Sequence, residues 1–408
     1  MSEVARQLVS AAIAAMAGGD YRRAIYLCEQ AIERDSTLLD AQQELADARE
    51  GFITNQILKA YDASEAGDNE EARRVCDELL ELSPDDSSVI YTRSFFHDSE
   101  EEARRDLMLV AALDAEDPDS LQRKANALQM LERLDESEQV WSTLVKLAPD
   151  DAENWVGRAE VRMSLFRHTE ALHDVNEAVR LDPQSAEALV VRGSVMRELG
   201  RFEEAIVDAK RAKHLDSEVP LADGVIADAL FRLDRYPEAE RAFVELTEKP
   251  EVSANDWTSY ACVLTELGRP TEAMKLLLEQ VARDERETGW HSAMAHALCA
   301  AERWDEAIQH SDEALSLDRL AVSKQEYGSL YELAWCLAHR VCIAEKHANA
   351  GCGLGIDVNI DVKAERDEAA GLLRQAIESD ASSLLFAKSA REFDSFWSHP
   401  DLRAFTEK

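Results

Sequence analysis

Small residues recur along the chain at a spacing of 34 positions. One column holds seven of them in succession: Ala103, Ser137, Ala171, Ala205, Ala239, Ala273 and Ala307. A second column with the same spacing lies 12 positions upstream in each unit: Ala125, Ala159, Gly193, Ala227, Ala261 and Ala295. Helices packed as a tight pair approach to about 8–10 Å, which small residues permit. The pattern therefore predicts a repeated pair of antiparallel α-helices.

A short turn followed by an acidic helix start occupies one place in each unit, as in ELGRFEEA at 198–205 and TELGRPTEA at 265–273. Acidic residues there favour the positive end of the helix dipole. This resembles the tetratricopeptide repeat family, whose large–small–Ala–Pro pattern is matched at Trp155, Ala159, Ala171, Ala178 and Pro183. The resemblance implies an all-α fold, a right-handed superhelical solenoid of antiparallel helix pairs.

The ends of the chain depart from the regular spacing. Ala24 and Ala72 have the small-residue phase but lie 48 positions apart, which predicts a longer helix through 38–65. A single helix pair buries too little apolar surface to be stable alone, so each unit must stack on its neighbours. We expect four segments along the chain: two irregular hairpins in 1–83, the regular array in 84–320, a hairpin of long helices in 321–383 with a Gly-bearing loop at 350–361, and an aromatic cap in 384–408.

The segment REFDSFWSHPDLRAF near the C-terminus resembles the closing segment of some bacterial arrays of this family. A terminal repeat has no next neighbour, so we expect Phe393, Phe396, Trp397 and Phe405 to fold back over the last helix face. An aromatic docking site is the alternative interpretation.

The amino-acid composition limits the classes of partner that the protein can bind. Among 408 residues, 82 are acidic and 45 basic, giving a formal net charge of −37, which argues against a nucleic-acid partner. No apolar run is long enough to span a membrane. The acidity has two interpretations, attraction of a basic partner or solubility of an extended surface. Seven Cys without a CxxC pair indicate reduced thiols and a cytoplasmic protein.

Catalytic and metal-binding motifs receive little support. The GCGLG segment at 351–355 lacks the spacing and the Lys of a phosphate loop, and neither HExxH nor GxSxG occurs. One concentration of possible metal ligands comprises Cys336, His339, Cys342, His347 and Cys352, but buried structural thiols explain it better than a zinc site. We therefore expect no enzyme activity, no cofactor and no metal.

The family resemblance implies that outward-facing positions of the first helix of each pair contact a ligand, typically a peptide or a partner helix. Those positions predict this set of binding residues: Gln122, Asn126, Gln129, Met130, Glu160, Met163, Ser194, Arg197, Asp228, Phe231, Thr258, Cys262, Thr265, Glu266, Ser292 and His296. The set is polar, mixed and not strongly charged. It predicts a non-catalytic scaffold that binds a protein or peptide in a concave groove.

The sequence argues against chaperone C-terminal tails as partners. The family's clamp for chaperone C-terminal carboxylates needs cations where this chain has Gln122, Glu187 and Val191, and an Asn where it has Gly157; only Asn126 matches. Without a cation, a terminal carboxylate has no charge-assisted partner. The competing hypothesis of function is a homodimer or larger assembly held by the irregular first 80 residues and the aromatic tail.

Overall fold

The structure, a computed structural model, describes residues 3–249, 252–281, 288–323, 329–349 and 362–379, with Phe393, Phe396, 399–400, Leu402 and Phe405. All regular structure in these residues is helical, with twenty α-helices and no β-strand. The helices are α1 Glu3–Ala17, α2 Tyr21–Arg34, α3 Leu39–Glu65, α4 Asn69–Leu82, α5 Ser87–Ser94, α6 Glu100–Ala112, α7 Pro118–Met130, α8 Leu134–Leu147, α9 Ala152–Ser164, α10 His168–Leu181, α11 Ala186–Glu198, α12 Phe202–Leu215, α13 Ala222–Arg232, α14 Tyr236–Thr247, α15 Ala254–Glu266, α16 Pro270–Val281, α17 Thr288–Ala300, α18 Trp304–Ser323, α19 Ser329–Asn349 and α20 Val362–Ser379.

Two compact units divide the chain, Met1–Leu147 and Ala148–Lys408. Each is a stack of helix pairs taken in chain order, from α1 with α2 to α7 with α8 in the first unit, and from α9 with α10 to α19 with α20 in the second. We call the first helix of a pair its A helix and the second its B helix. The all-α solenoid fold predicted from the sequence is confirmed within each unit.

Both columns of small residues lie where an A helix meets its own B helix. Ala159 and Ala171 are fully buried, and the same holds for the equivalent alanines of the following pairs. At Gly193, an added Cβ would lie 3.2 Å from the backbone oxygen of Ala205, and the Ser137 hydroxyl donates a 2.8 Å hydrogen bond to the Ala125 carbonyl. These contacts explain the spacing of 12 between the columns.

Ala103 fits its column less well, because it is only partly buried. It belongs to the pair α5 and α6 and lies 31 positions after Ala72, three fewer than the regular spacing. The 27-residue α3, from Leu39 to Glu65, accounts for the extra residues between Ala24 and Ala72. The irregular phase of the first unit thus comes from one long and one short A helix.

Helix starts follow from local capping. The side chains of Asp68, Asp117 and Asp151 each accept a backbone N–H in the first turn of the helix that follows. Ser253 and Asp256 form a reciprocal capping box at the start of α15. Because free N–H groups at a helix start need acceptors, these residues fix where each helix begins.

The turn from an A helix to its B helix repeats the same backbone shape. In the six turns from α7–α8 to α17–α18, one residue has a left-handed conformation, at a spacing of 34: Glu132, Phe166, Gly200, Asp234, Gly268 and Glu302, with φ from 57° to 77°. The next residue is always Arg, and it pairs with a Glu three positions later, from Arg133 with Glu136 to Arg303 with Glu306. This Arg–Glu column is a periodic signal that our sequence analysis missed.

The terminal aromatic residues pack inside the second unit. Phe393, Phe396 and Leu402 are fully buried in one cluster with side chains of α19 and α20, among them Leu337 and Leu373. Phe405 is partly buried against the same cluster. The loop at 350–361 and Trp397 lie outside the described residues.

Candidate functional site

The A helices lie side by side within each unit. In the second unit, α9 contacts α11, α11 contacts α13, α13 contacts α15 and α15 contacts α17. In the first unit, α1 contacts α3, α3 contacts α5 and α5 contacts α7. We call the surface along these adjoining A helices the inner wall of a unit. All sixteen predicted binding residues lie on A helices, four on α7 and twelve on the second unit.

In the first unit the predicted residues form part of a larger cluster. Asn126 is half-buried and hydrogen-bonds the Tyr91 hydroxyl, which also lies 4.0 Å from the sulfur of Met130. Met130 is 48% exposed, while Gln122 and Gln129 are half-buried. Tyr91 was not among the predicted binding residues, because position 91 lies one period of 34 before Ala125 and so falls in the second column of small residues.

In the second unit the predicted residues differ in accessibility. Glu266 is exposed, whereas Glu160, Met163, Arg197, Asp228, Phe231, Cys262 and His296 are half-buried. Ser194, Thr258, Thr265 and Ser292 are at least 90% buried in the free chain. The role of these four residues in ligand binding stays a prediction.

Two of these buried hydroxyls, those of Thr258 and Thr265, donate hydrogen bonds to backbone carbonyls of their own helix. The Thr258 hydroxyl donates to the Asn255 carbonyl at 2.9 Å, and the Thr265 hydroxyl donates to the Ala261 carbonyl at 2.9 Å. A hydroxyl so near the backbone reaches its own preceding helical turn more easily than a side chain on another helix. Short polar residues on an A helix therefore contribute to the helix itself.

Charged side chains bridge neighbouring A helices. The Arg197 guanidinium lies 2.5 Å from the Glu198 carboxylate and 3.7 Å from the Asp228 carboxylate on α13. His296 on α17 lies 3.0 Å from the Glu266 carboxylate on α15. The second unit's inner wall thus carries paired charges of both signs, in agreement with the mixed character expected from the sequence.

Glu160 is the most perturbed carboxyl group of this wall. Burial, and to a smaller extent the neighbouring Glu187 carboxylate, raise its pKa to about 7. The pKa of Glu187 is itself raised by burial and by Glu153. These three carboxyl groups, on α9 and α11, create a local negative potential near neutral pH.

Buried ion pairs tie A helices to B helices behind the wall. Arg158 and Arg162 both bond the Asp174 carboxylate, which is fully buried, at 2.7–2.8 Å. One period further on, Arg192 bonds the Asp208 carboxylate at 2.7–2.9 Å. This Arg–Asp column of spacing 34 was also missed, because the sequence analysis compared small residues alone.

The Cys and His residues of α19 have the structural character expected for them. Cys336 and His339 are buried, and burial raises the pKa of the Cys336 thiol well above its usual range. No group of three or more His, Cys, Asp or Glu side chains in the described ranges is placed to hold a metal ion. His347 and Cys352 lie outside the residues whose side chains are described.

None of the described helices is long and apolar enough to cross a membrane. Repeated helix pairs with adjoining A helices define a helical-repeat protein, a class that uses the surface along its stacked units for binding. Comparison with known families makes the assignment more specific. A tetratricopeptide repeat model matches residues 123–185 and 165–220. Residues 123–220 therefore belong to the tetratricopeptide repeat family, and the other described helix pairs share its all-α repeat fold.

One solved structure supports the fold, and two others show weaker similarity. The chain is similar to a structure described as the APC/C hetero-tetramer Cut9–Hcn1, with a TM-score of 0.52, 14% identity, and coverage of 82% of this chain and 76% of that one. A tetratricopeptide repeat protein from Parabacteroides merdae gives a TM-score of 0.42 with 17% identity, covering 65% of this chain and 93% of its own. The structure of yeast Tom70 gives a TM-score of 0.40 with 14% identity, covering 94% of this chain and 88% of its own. No curated protein gives a significant match.

Proteins with this fold generally mediate protein–protein interactions and are generally non-catalytic. The coarse functional class expected from the sequence is therefore supported.

Proposed function

We propose that this protein is a non-catalytic scaffold whose inner walls bind a peptide or helical segment of a partner protein. It acts without a cofactor, and we place it in the cytoplasm. The observation that carries the proposal is the adjoining arrangement of A helices in each unit, which brings residues from successive repeats onto one surface.

The chemistry of the walls suits a peptide. Half-buried amides such as Asn126 and Gln129 offer hydrogen bonds to a peptide backbone, while Met130, Met163 and Phe231 offer apolar contacts. Partly buried side chains have already lost much of their rotamer freedom, so a ligand has less entropy to overcome. Affinity then comes from many modest contacts along the wall.

Site-specific photo-crosslinking tests the proposal. A photoreactive phenylalanine analogue replaces Gln129 or Met163 on the inner walls, and Val207, which is 65% exposed on the B helix α12, serves as the matched control. We expect partner peptides to crosslink at Gln129 or Met163 and not at Val207. Crosslinks confined to Val207, or equal at all three positions, would refute the assignment.

Self-association is the competing function. Phe393 and Phe396 are fully buried within their own chain, so neither offers surface to a second copy. Light scattering of the full chain is expected to give the monomer mass of 45.6 kDa. A dimer mass, together with crosslinks from the protein to itself, would favour an assembly role instead.

A further inference from the structure

Aromatic and sulfur-containing side chains gather on the inner wall of the first unit. Tyr91 and Phe95 of α5 pack edge to face with ring centroids 5.0 Å apart, and the Tyr91 hydroxyl lies 4.0 Å from the sulfur of Met130 on α7. Tyr61 of α3 packs edge to face on the buried Phe96 at 5.4 Å. Burial raises the pKa of Tyr91, and the nearby Tyr61 raises it as well. We call Tyr61, Tyr91, Phe95 and Met130 the aromatic patch.

Three members of the aromatic patch remain open to solvent. Tyr61 is 41% exposed, Phe95 45% and Met130 48%, although each contacts other residues of the unit. Adjoining large apolar side chains that stay exposed are typical of interaction surfaces, and aromatic residues are enriched among those that dominate binding energy. The aromatic patch therefore has the composition of a binding surface.

The helix beneath the aromatic patch is held rigidly. Arg93 of α5 bonds Asp77 of α4 at 2.6 Å and both carboxylate oxygens of the buried Asp106 of α6 at 2.7–2.8 Å. Asn126 fixes the Tyr91 hydroxyl from the neighbouring α7. Because the backbone and one ring are fixed before a ligand arrives, binding costs less ordering entropy.

Negative charge surrounds the aromatic patch. Residues 1–147 contain 32 acidic and 15 basic residues, a formal net charge of −17. Glu65 lies one helical turn after Tyr61 and Glu132 lies two residues after Met130, whereas Asp119 lies at the opposite end of α7, about 16 Å from Met130. All three are exposed and make no ion pair within the described residues. Lys59 lies about 200° around α3 from Tyr61, at 100° per residue, and so does not neutralise this side.

We propose that the aromatic patch binds a basic segment of a partner protein, with Leu or aromatic anchors between Lys or Arg residues. The proposal rests on the proposed function and specifies its ligand. Apolar anchors would cover Phe95 and Met130, and the cations would lie near Glu65 and Glu132. A second copy of this chain fits poorly, because its own charge of −37 is repelled.

Fluorescence anisotropy with designed peptides tests the charge and the anchors. The probe is a fluorescein-labelled peptide of about 14 residues, roughly 20 Å as a helix, built from Lys with Leu and Trp anchors. One control peptide has Glu in place of Lys, and another has Ser in place of the anchors. We expect the full chain to bind the first peptide at least tenfold more tightly than either control. Equal binding of the Glu peptide would overturn the proposal.

Variants of the full chain locate the binding. Phe95→Ala with Met130→Ala should weaken binding of the Lys peptide at least tenfold. Met108→Ala is the matched control, because Met108 is 51% exposed but lies on the B helix α6. That variant should bind within twofold of the wild type. Equal losses in both variants would exclude the aromatic patch as the site, and unchanged melting temperatures verify that each variant folds.

Salt gives a second readout of the charge. Raising the salt from about 0.1 M to 1 M shortens the screening length from about 10 Å to 3 Å and should weaken binding of the Lys peptide severalfold. Salt-independent binding would contradict a cationic ligand.

Crosslinking at Met163 separates this inference from the proposed function. If a partner crosslinks there while the Phe95→Ala, Met130→Ala variant binds the Lys peptide normally, the aromatic patch inference fails and the scaffold function stands. If neither inner wall crosslinks a partner, the scaffold function itself fails.

Discussion

At the scale of single residues, the buried carboxylates behind the inner walls contribute more to stability than the many exposed charges. Asp174 has no exposed surface and accepts bonds from two guanidinium groups, whereas Glu204 pairs with Arg201 in solvent. Breaking a buried pair leaves an uncompensated charge, while exposed pairs contribute little because water screens them.

We therefore expect Asp174→Ala to destabilise the protein by about 3 kcal/mol, because it strands Arg158 and Arg162. Glu204→Ala, the control, should cost less than about 1 kcal/mol. Urea unfolding followed by circular dichroism measures both. Similar losses from the two substitutions would show that the Asp174 pair is not buried in solution.

Glu160 makes stability depend on pH. Its pKa is about 7 in the folded chain, above its ordinary value of 4.5, so the folded state favours the protonated form. The contribution of this group to stability is present below pH 4.5 and is lost as the pH rises through 7. Glu160→Gln removes the titration.

The variant Glu160→Gln should therefore be more stable than the wild type at pH 8, by about 2 kcal/mol, with the difference shrinking towards pH 5. Melting temperatures at several pH values measure the effect. Glu203→Gln, at an exposed position of α12, provides the control and should show no such trend. A difference that is independent of pH would mean that Glu160 is not buried.

At the scale of elements, a left-handed turn residue is the feature that the six repeats from α7–α8 to α17–α18 share outside their helices. Only Gly200 and Gly268 among the six positions are glycine, the residue that adopts this conformation without cost. The other four carry a side chain against a penalty of roughly 1 kcal/mol.

Glu132→Gly should accordingly stabilise the first unit by about 0.5 kcal/mol, and the reciprocal Gly200→Ala should destabilise the second by about 1 kcal/mol. Chemical unfolding of both variants checks the signs. If Glu132→Gly is destabilising, contacts of the Glu132 side chain outweigh the backbone strain.

The sequence predicted the helix pairs and the long helix α3 because small residues at a fixed spacing reflect a contact inside each pair. The same approach missed Tyr91 and Phe95 in α5. Helix α5 begins 31 residues before α7, three fewer than the regular spacing, so counting back 34 positions from Ala125 placed Tyr91 among the packing positions and not on the inner wall. Register errors of this kind cannot be corrected from spacing alone, since the contact of Tyr91 with Asn126 joins two different repeats.

At the scale of the molecule, one period removed from the second unit should leave a chain that still folds. Deleting 167–200 joins Phe166 to Arg201. Phe166 then takes the place of Gly200, the equivalent left-handed residue of the next turn, which precedes Arg201 in the intact chain. Asp208 would then meet Arg158 and Arg162, in place of Asp174.

We expect this 34-residue deletion to retain cooperative thermal unfolding and the helical content per residue, measured by circular dichroism. A deletion of 167–190 changes the spacing of the small residues and should abolish cooperative unfolding of the second unit. Equal behaviour of the two deletions would show that the columns do not determine packing.

The periodic Arg–Asp pairs have an evolutionary consequence. Since Asp174 and Asp208 hold equivalent positions in adjacent repeats and each accepts an Arg of its own helix pair, either of these two units can be duplicated or lost in the gene without breaking this ion pair. Descendants of such a gene can therefore differ in how many sites they offer a ligand while each copy of the unit stays the same.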